Sequence, residues 1–211
     1  MKTDDFIKAL AEDNAAGWRI GKAFAAALAG GAVITAVLFF SSIGMRPDVD
    51  SAMHTGRFLF KFLVTLTMAT TATGLILRMA QPGVPFGAWG KAIAAAPALL
   101  AVAVIVELVV MPSSTWEARW IGSNAPYCMT LIPLMAVGPL ACILYVMRQG
   151  APENPGLMGA IAGLVASGIG ATFYASHCPD DSPLFVATWY PLATGIVVLA
   201  GYFAGRKWLR W

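Results

Sequence analysis

Two cysteines and their neighbours are the residues whose types could do chemistry. Cys178 follows His177 and precedes Asp180 and Asp181, while Cys128 stands fifty positions earlier. Thiolate, imidazole and carboxylate together form a donor set for soft or borderline metals. Two thiols can also pass between dithiol and disulfide, although two cysteines in an oxidising compartment can equally form a structural bridge. A third cysteine, Cys142, completes no CxxC pair, which excludes a zinc ribbon and a thioredoxin-like motif. No HExxH, phosphate loop or Ser/His/Asp arrangement occurs, so no catalysis and no resident cofactor are expected.

The elements that must position these residues are membrane helices. Of 211 residues, 58% are hydrophobic and 12% charged, with a mean hydropathy of +0.71, so lipid is the main solvent. The net charge of +3 is spread over short connecting segments, which leaves no footprint for direct nucleic-acid binding. A span needs roughly 20 apolar residues, and six stretches qualify: 23–43, 58–77, 92–111, 127–147, 157–177 and 185–204. Polar or helix-breaking segments such as Gly44-Met45-Arg46-Pro47-Asp48 and Pro179-Asp180-Asp181-Ser182-Pro183 punctuate them. The fold class is all-α, an integral six-helix transmembrane bundle over residues 23–211 preceded by a short arm, 1–22. The first span follows Asp4, Asp5, Glu12 and Asp13 and reads as a retained anchor, not a signal peptide.

Orientation follows from the basic residues. With the N-terminus cytoplasmic, ten of the fourteen Lys and Arg residues face inward, and only Arg46, Arg57, Lys61 and Arg119 face outward. Both termini are then cytoplasmic. This puts Cys128 at the outer start of span four and His177-Cys178 at the outer end of span five, with His54, Asp180 and Asp181 in the same layer. Glu107 lies about 6 Å below that interface. It is costly in a membrane, and either serves a site, pairs with Arg119 or reaches headgroups. The candidate metal ligands are Cys128, Cys178, His177, Asp180, Asp181 and Glu107. Cys142 lies roughly 21 Å from Cys128 along the helix axis and cannot join them.

Gly159-xxx-Gly163 and Gly201-xxx-Gly205 read as packing devices. Pro97, Pro133, Pro139 and Pro191 each remove a backbone donor that a neighbour must replace. In the arm, residues 3–16 can form a helix with Asp4 and Asp5 at its positive end and Phe6, Ile7 and Leu10 on one face. Such a face suits a partner's groove or the surface of the inner leaflet.

The opening Met1-Lys2-Thr3-Asp4-Asp5-Phe6-Ile7-Lys8-Ala9-Leu10, the segment Trp120-Ile121-Gly122-Ser123-Asn124-Ala125-Pro126-Tyr127-Cys128, Leu131-Ile132-Pro133-Leu134, and His177-Cys178-Pro179-Asp180-Asp181-Ser182-Pro183-Leu184-Phe185 with Trp189-Tyr190 resemble the NrsF family. Its members are six-span negative regulators of extracytoplasmic-function sigma factors. The resemblance implies that the N-terminal segment holds a sigma factor at the membrane. It further implies that Cys128 and Cys178, with His177 beside them, sense a stress such as an oxidant or a transiently bound heavy-metal ion. The competing expectations are a small-molecule or metal-ion transporter, which needs intramembrane charges along a pathway, and a thiol oxidoreductase, which needs closely paired cysteines.

Overall fold

A chain in hydrocarbon must satisfy its backbone polar groups internally, and helices do so within one segment. The computed structural model describes the backbone over residues 3–81, 83–150 and 152–210, and side chains from Ile20 onward within those stretches. The described residues form α1 (Thr3–Ser42), α2 (Val49–Ala52), α3 (Gly56–Met79), α4 (Gly87–Ala92), α5 (Ala95–Val110), α6 (Trp116–Ile121), α7 (Ala125–Met147), α8 (Pro155–Ala175) and α9 (Pro183–Trp208), with no strand among them. Six segments are long and apolar enough to cross a membrane: Ile20–Ser42, Gly56–Met79, Gly87–Val110, Ala125–Met147, Pro155–Ala175 and Pro183–Trp208.

The segment boundaries differ from the sequence reading by up to five residues. The third apolar segment begins at Gly87 instead of residue 92, because α4 continues into α5 after a short turn. Its Trp89 ring lies on α3 where Gly74 has no Cβ to obstruct it. The arm is not set off by a break, since α1 runs on from Thr3 into the first span. The side chains of Asp4, Asp5, Phe6, Ile7 and Leu10 lie outside the described residues.

Helix α8 is the axis of the bundle, packed against α3, α7 and α9, with α1 beyond α7 and α5 at the periphery against α3 and α9. Small residues make the central position accessible. A Cβ at Gly159 would strike the backbone of Gly201, one at Gly163 would fall 2.8 Å from the Val197 carbonyl oxygen, and one at Gly168 would meet Ala69 at 2.7 Å. The two GxxxG stripes therefore face each other and let the α8 and α9 backbones touch. Around this axis lie two large cores, with a small cluster of Ala136, Ala166 and Val197 besides. One surrounds Phe24, Ile76, Met147, Met158 and Leu209 at the end of the bundle holding the C-terminus. The other surrounds Phe39, Cys128, Ile132, Tyr174, Cys178 and Phe185 at the opposite end. These are called here the terminal end and the cysteine end.

Pro139 inside α7 has no N–H for the Met135 carbonyl four residues earlier. Thr35 of α1 supplies the replacement, its hydroxyl donating to that carbonyl at 2.9 Å. Gly31, one turn before it, lets the two backbones approach. Thr35→Val should retain the fold and lower stability by about 1 kcal/mol, measured by SDS-induced unfolding of the detergent-solubilised chain.

Candidate functional site

Cys128 sits in the first turn of α7, and Cys178 sits in the segment joining α8 to α9. The start of α7 is fixed by its approach. Gly122 adopts φ +59°, and a Cβ there would strike the Phe185 ring and come 3.0 Å from the Asp180 carboxyl carbon, so glycine is required on both counts. The released N–H groups at the helix start need acceptors. Asp180 provides one, taking hydrogen bonds from the Ser123 N–H at 3.0 Å, the Asn124 N–H at 2.8 Å and the Asn124 side-chain amide at 2.9 Å. A carboxylate at a helix N-terminus is also favoured by the helix dipole. The segment carrying Cys178 is thereby tied to the helix carrying Cys128.

Other contacts hold the same segment from the opposite side. Lys61 of α3, fully buried, donates to the Cys178 carbonyl at 2.7 Å and pairs with Asp181 at 2.5 Å. Arg46 pairs with Asp181 at 2.9 Å and Asp48 at 2.7 Å, and also reaches the Cys178 carbonyl at 3.4 Å. The hydrogen bond from Arg46 holds the exposed Asp48 carboxyl below the usual carboxylate range. The backbone follows suit: the Arg46 N–H donates to the Ser176 carbonyl at 3.1 Å, and His177 Nδ1 lies 3.0 Å from the Gly44 carbonyl. Asp181 is followed by Ser182, the N-cap of α9, whose hydroxyl donates to Glu107 at 3.2 Å. Glu107, buried in α5, pairs with Arg57 of α3 at 3.1 Å and Arg119 of α6 at 3.0 Å. Residues 176–182 are thus the junction at which α3, α5, α6, α7 and the turn after α1 meet.

At the junction the two sulfurs are unbonded thiols with no solvent exposure, in one buried cluster, and the Cys178 thiol lies 3.9 Å from the Asp180 carbonyl. The neighbouring Cys128 thiol and the Lys61 charge lower the Cys178 pKa against the opposing effect of burial. Cys178 is therefore the thiolate-forming member of the pair. Tyr174 and Tyr190 are buried in the same core as the thiols, with the Tyr174 phenol beside the sulfurs.

One expectation needs correction. The six proposed metal ligands do not converge, and among the described residues no three His, Cys, Asp or Glu side chains are grouped to hold an ion. The physical reason is prior engagement: Asp180 caps α7, Asp181 neutralises Lys61 and Arg46, Glu107 neutralises Arg57 and Arg119, and His177 faces a carbonyl. Only Cys128 and Cys178 remain adjacent. Cys142 belongs to the other core, as its helical distance requires, and His54 is exposed. Lys61, Arg46, Arg57, Ser182, Tyr174 and Tyr190 were not singled out as site residues by the sequence reading.

The profile of the family described as NrsF, negative regulator of sigma F, matches residues 10–211. The chain belongs to this family. Its relatives include the anti-sigma-F factor NrsF of Caulobacter vibrioides (strain NA1000 / CB15N), 32% identical over the full length of both chains. A second is the probable anti-sigma-F factor NrsF of Azospira oryzae (strain ATCC BAA-33 / DSM 13638 / PS), 29% identical, again over both whole chains. No solved structure matches. As an NrsF-family chain, its cysteine end combines two strings of the sequence resemblance, residues 120–128 and 177–185, in one interlocked structure.

Proposed function

We propose that this chain is a membrane anti-sigma factor. It holds an extracytoplasmic-function sigma factor at the bacterial inner membrane through residues 1–22, with Phe6, Ile7 and Leu10 as apolar anchors flanked by Asp4 and Asp5. It releases that partner when a periplasmic stress signal, an oxidant or a heavy metal, modifies Cys128 and Cys178. The observation that carries the reading is the interlocking of the Cys178 segment with the ends of five other elements. A chemical event at one thiol there cannot be accommodated locally.

The charge distribution supports this orientation. All four cations of the cysteine end, Arg46, Arg57, Lys61 and Arg119, are ion-paired. At the terminal end, Arg78, Lys91, Arg148, Arg206, Lys207 and Arg210 are exposed and have no ion pair among the described residues. Unneutralised positive charge belongs on the cytoplasmic side.

In the oxidant case, the Cys178 thiolate and the Cys128 thiol form one S–S bond, losing the single proton of the Cys128 thiol and passing two electrons to a two-electron acceptor. The sulfurs must then approach to about 2 Å, which shifts residues 176–182 and with them the Asp181 and Asp180 contacts. In the heavy-metal case a thiophilic ion bridges the same sulfurs. Either event biases the bundle between two packings, and reversing a 99:1 population requires about 5.5 kcal/mol of differential stabilisation. The movement reaches the terminal end along α7 and α8. A transporter would require charges along a route across the bilayer, whereas Glu107 and Lys61 are both neutralised within the cysteine-end network.

The test is co-purification of the detergent-solubilised full chain with the candidate sigma factor. The intact chain should capture it, and Phe6→Asp/Leu10→Asp should reduce capture by more than tenfold, because two apolar anchors worth roughly 1.5–3 kcal/mol each are lost. Capture by neither chain, or equally by both, would reject the arm as the binding element.

A further inference from the structure

Among the described residues, the exposed cations of the terminal end are not evenly distributed. Arg148 closes the C-terminus of α7, and Trp208 and Arg210 lie at the end of α9 beside it. Together with Leu209 they line a cavity of about 100 Å³. Leu209 is 1% exposed, inserted in the core and held by its N–H to the Gly205 carbonyl at 3.0 Å, so its two neighbours are fixed in place. Trp208 is 55% exposed at the end of an apolar segment, where an indole ring sits at the level of lipid headgroups. Glu153 is the carboxylate of this end among the described residues, and it is engaged elsewhere, accepting from the Gly83 N–H at 3.1 Å. Among the described residues the corner thus has two guanidinium groups, an interfacial indole and no internal anion.

We infer that Arg148, Trp208 and Arg210 form a seat for the phosphate of an anionic phospholipid headgroup. The guanidinium forks suit phosphate oxygens, the cavity exceeds the roughly 30 Å³ share of a single water several-fold, and the acyl chains of a lipid so held run along the exposed apolar flank of α9 at Leu199 and Phe203. The site stands independently of the thiol reading, since it lies at the other end of the bundle.

The experiment measures thermal unfolding of the detergent-solubilised full chain with phosphatidylglycerol, phosphatidylcholine or inorganic phosphate added. A ligand that binds only the folded state raises the unfolding temperature. Phosphatidylglycerol should raise it, phosphatidylcholine and inorganic phosphate should not, and Arg148→Gln/Arg210→Gln should weaken the phosphatidylglycerol response about tenfold or more. Arg148→Lys/Arg210→Lys, which keeps both charges, should retain most of the response and guards against simple misfolding of the glutamine variant. Equal shifts with phosphatidylcholine, or an undiminished response in the glutamine variant, would overturn the site. A shift with inorganic phosphate as large as that with lipid would make it a free-anion site and overturn the lipid assignment. Loss of sigma-factor capture in the glutamine variant with its lipid response intact would assign the corner to the protein partner and do the same.

Discussion

Asp181→Asn is expected to destabilise the cysteine end by about 3–5 kcal/mol, the cost of breaking a buried ion pair from one side. The asparagine leaves Lys61, with no solvent exposure, beside Arg46 without their shared anion. The second substitution Lys61→Met should recover part of the loss, because it removes the stranded cation instead of adding an interaction. A coupling of about 1 kcal/mol or more between the two sites is anticipated for residues in direct contact. SDS-induced unfolding of the two single variants and the double variant in micelles measures it. A double variant as unstable as the sum of the singles would mean that Lys61 and Asp181 do not act as a pair.

The second large effect is functional. Cys128→Ser and Cys178→Ser should each leave sigma-factor capture intact, since neither residue is near the arm in the chain, and should abolish release under an oxidant or a thiophilic metal. A serine cannot form the S–S bond or bind a soft ion. Cys142→Ser, at a site in the other core, should leave both capture and release unchanged. A reporter driven by the sigma factor reads this in cells: induction lost in the first two variants and normal in the third. Normal induction in Cys178→Ser would remove the thiols from the mechanism.

How much of this was legible in the sequence depends on what each residue's role required. The six apolar segments were legible from length and composition alone, because hydrocarbon thickness sets both. Cys128 and Cys178 could be assigned to one layer because alternating spans bring every second connection to the same side. The pairing of Glu107 with Arg119 was within reach too, since only twelve residues and a single turn separate them. The partnerships of Lys61 and Arg46 were not. They depend on the rotation of α3 about its axis and on the path of the turn after α1, neither of which a span pattern specifies. What the sequence does carry is a charge-count signal: four cations on a side expected to be poor in them, one of them inside an apolar span. A buried cation in a membrane needs a partner, and Asp181 and Glu107 were the candidates on that side. Treating those carboxylates as metal ligands overlooked this prior claim on them. Tyr174 and Tyr190 escaped notice for a different reason, since a tyrosine in an apolar helix reads as ordinary core until it is found packed in one cluster with the thiols.

The glycine stripes were legible on the same physical ground. Gly159 and Gly201 are spaced four residues from Gly163 and Gly205, and a small-residue stripe on one face has one dominant use in lipid, close helix approach. The contact of each stripe with the other is what the structure adds.

The most direct test of the central claim is capture of the sigma factor by the full chain before and after thiol oxidation, with Cys178→Ser run in parallel. The account predicts capture by both proteins under reducing conditions, release from the wild-type chain on oxidation with a Cys128–Cys178 bridge detected by peptide mapping, and no release from Cys178→Ser. Release that proceeds equally in Cys178→Ser, or a bridge that forms while the sigma factor stays bound, would contradict it.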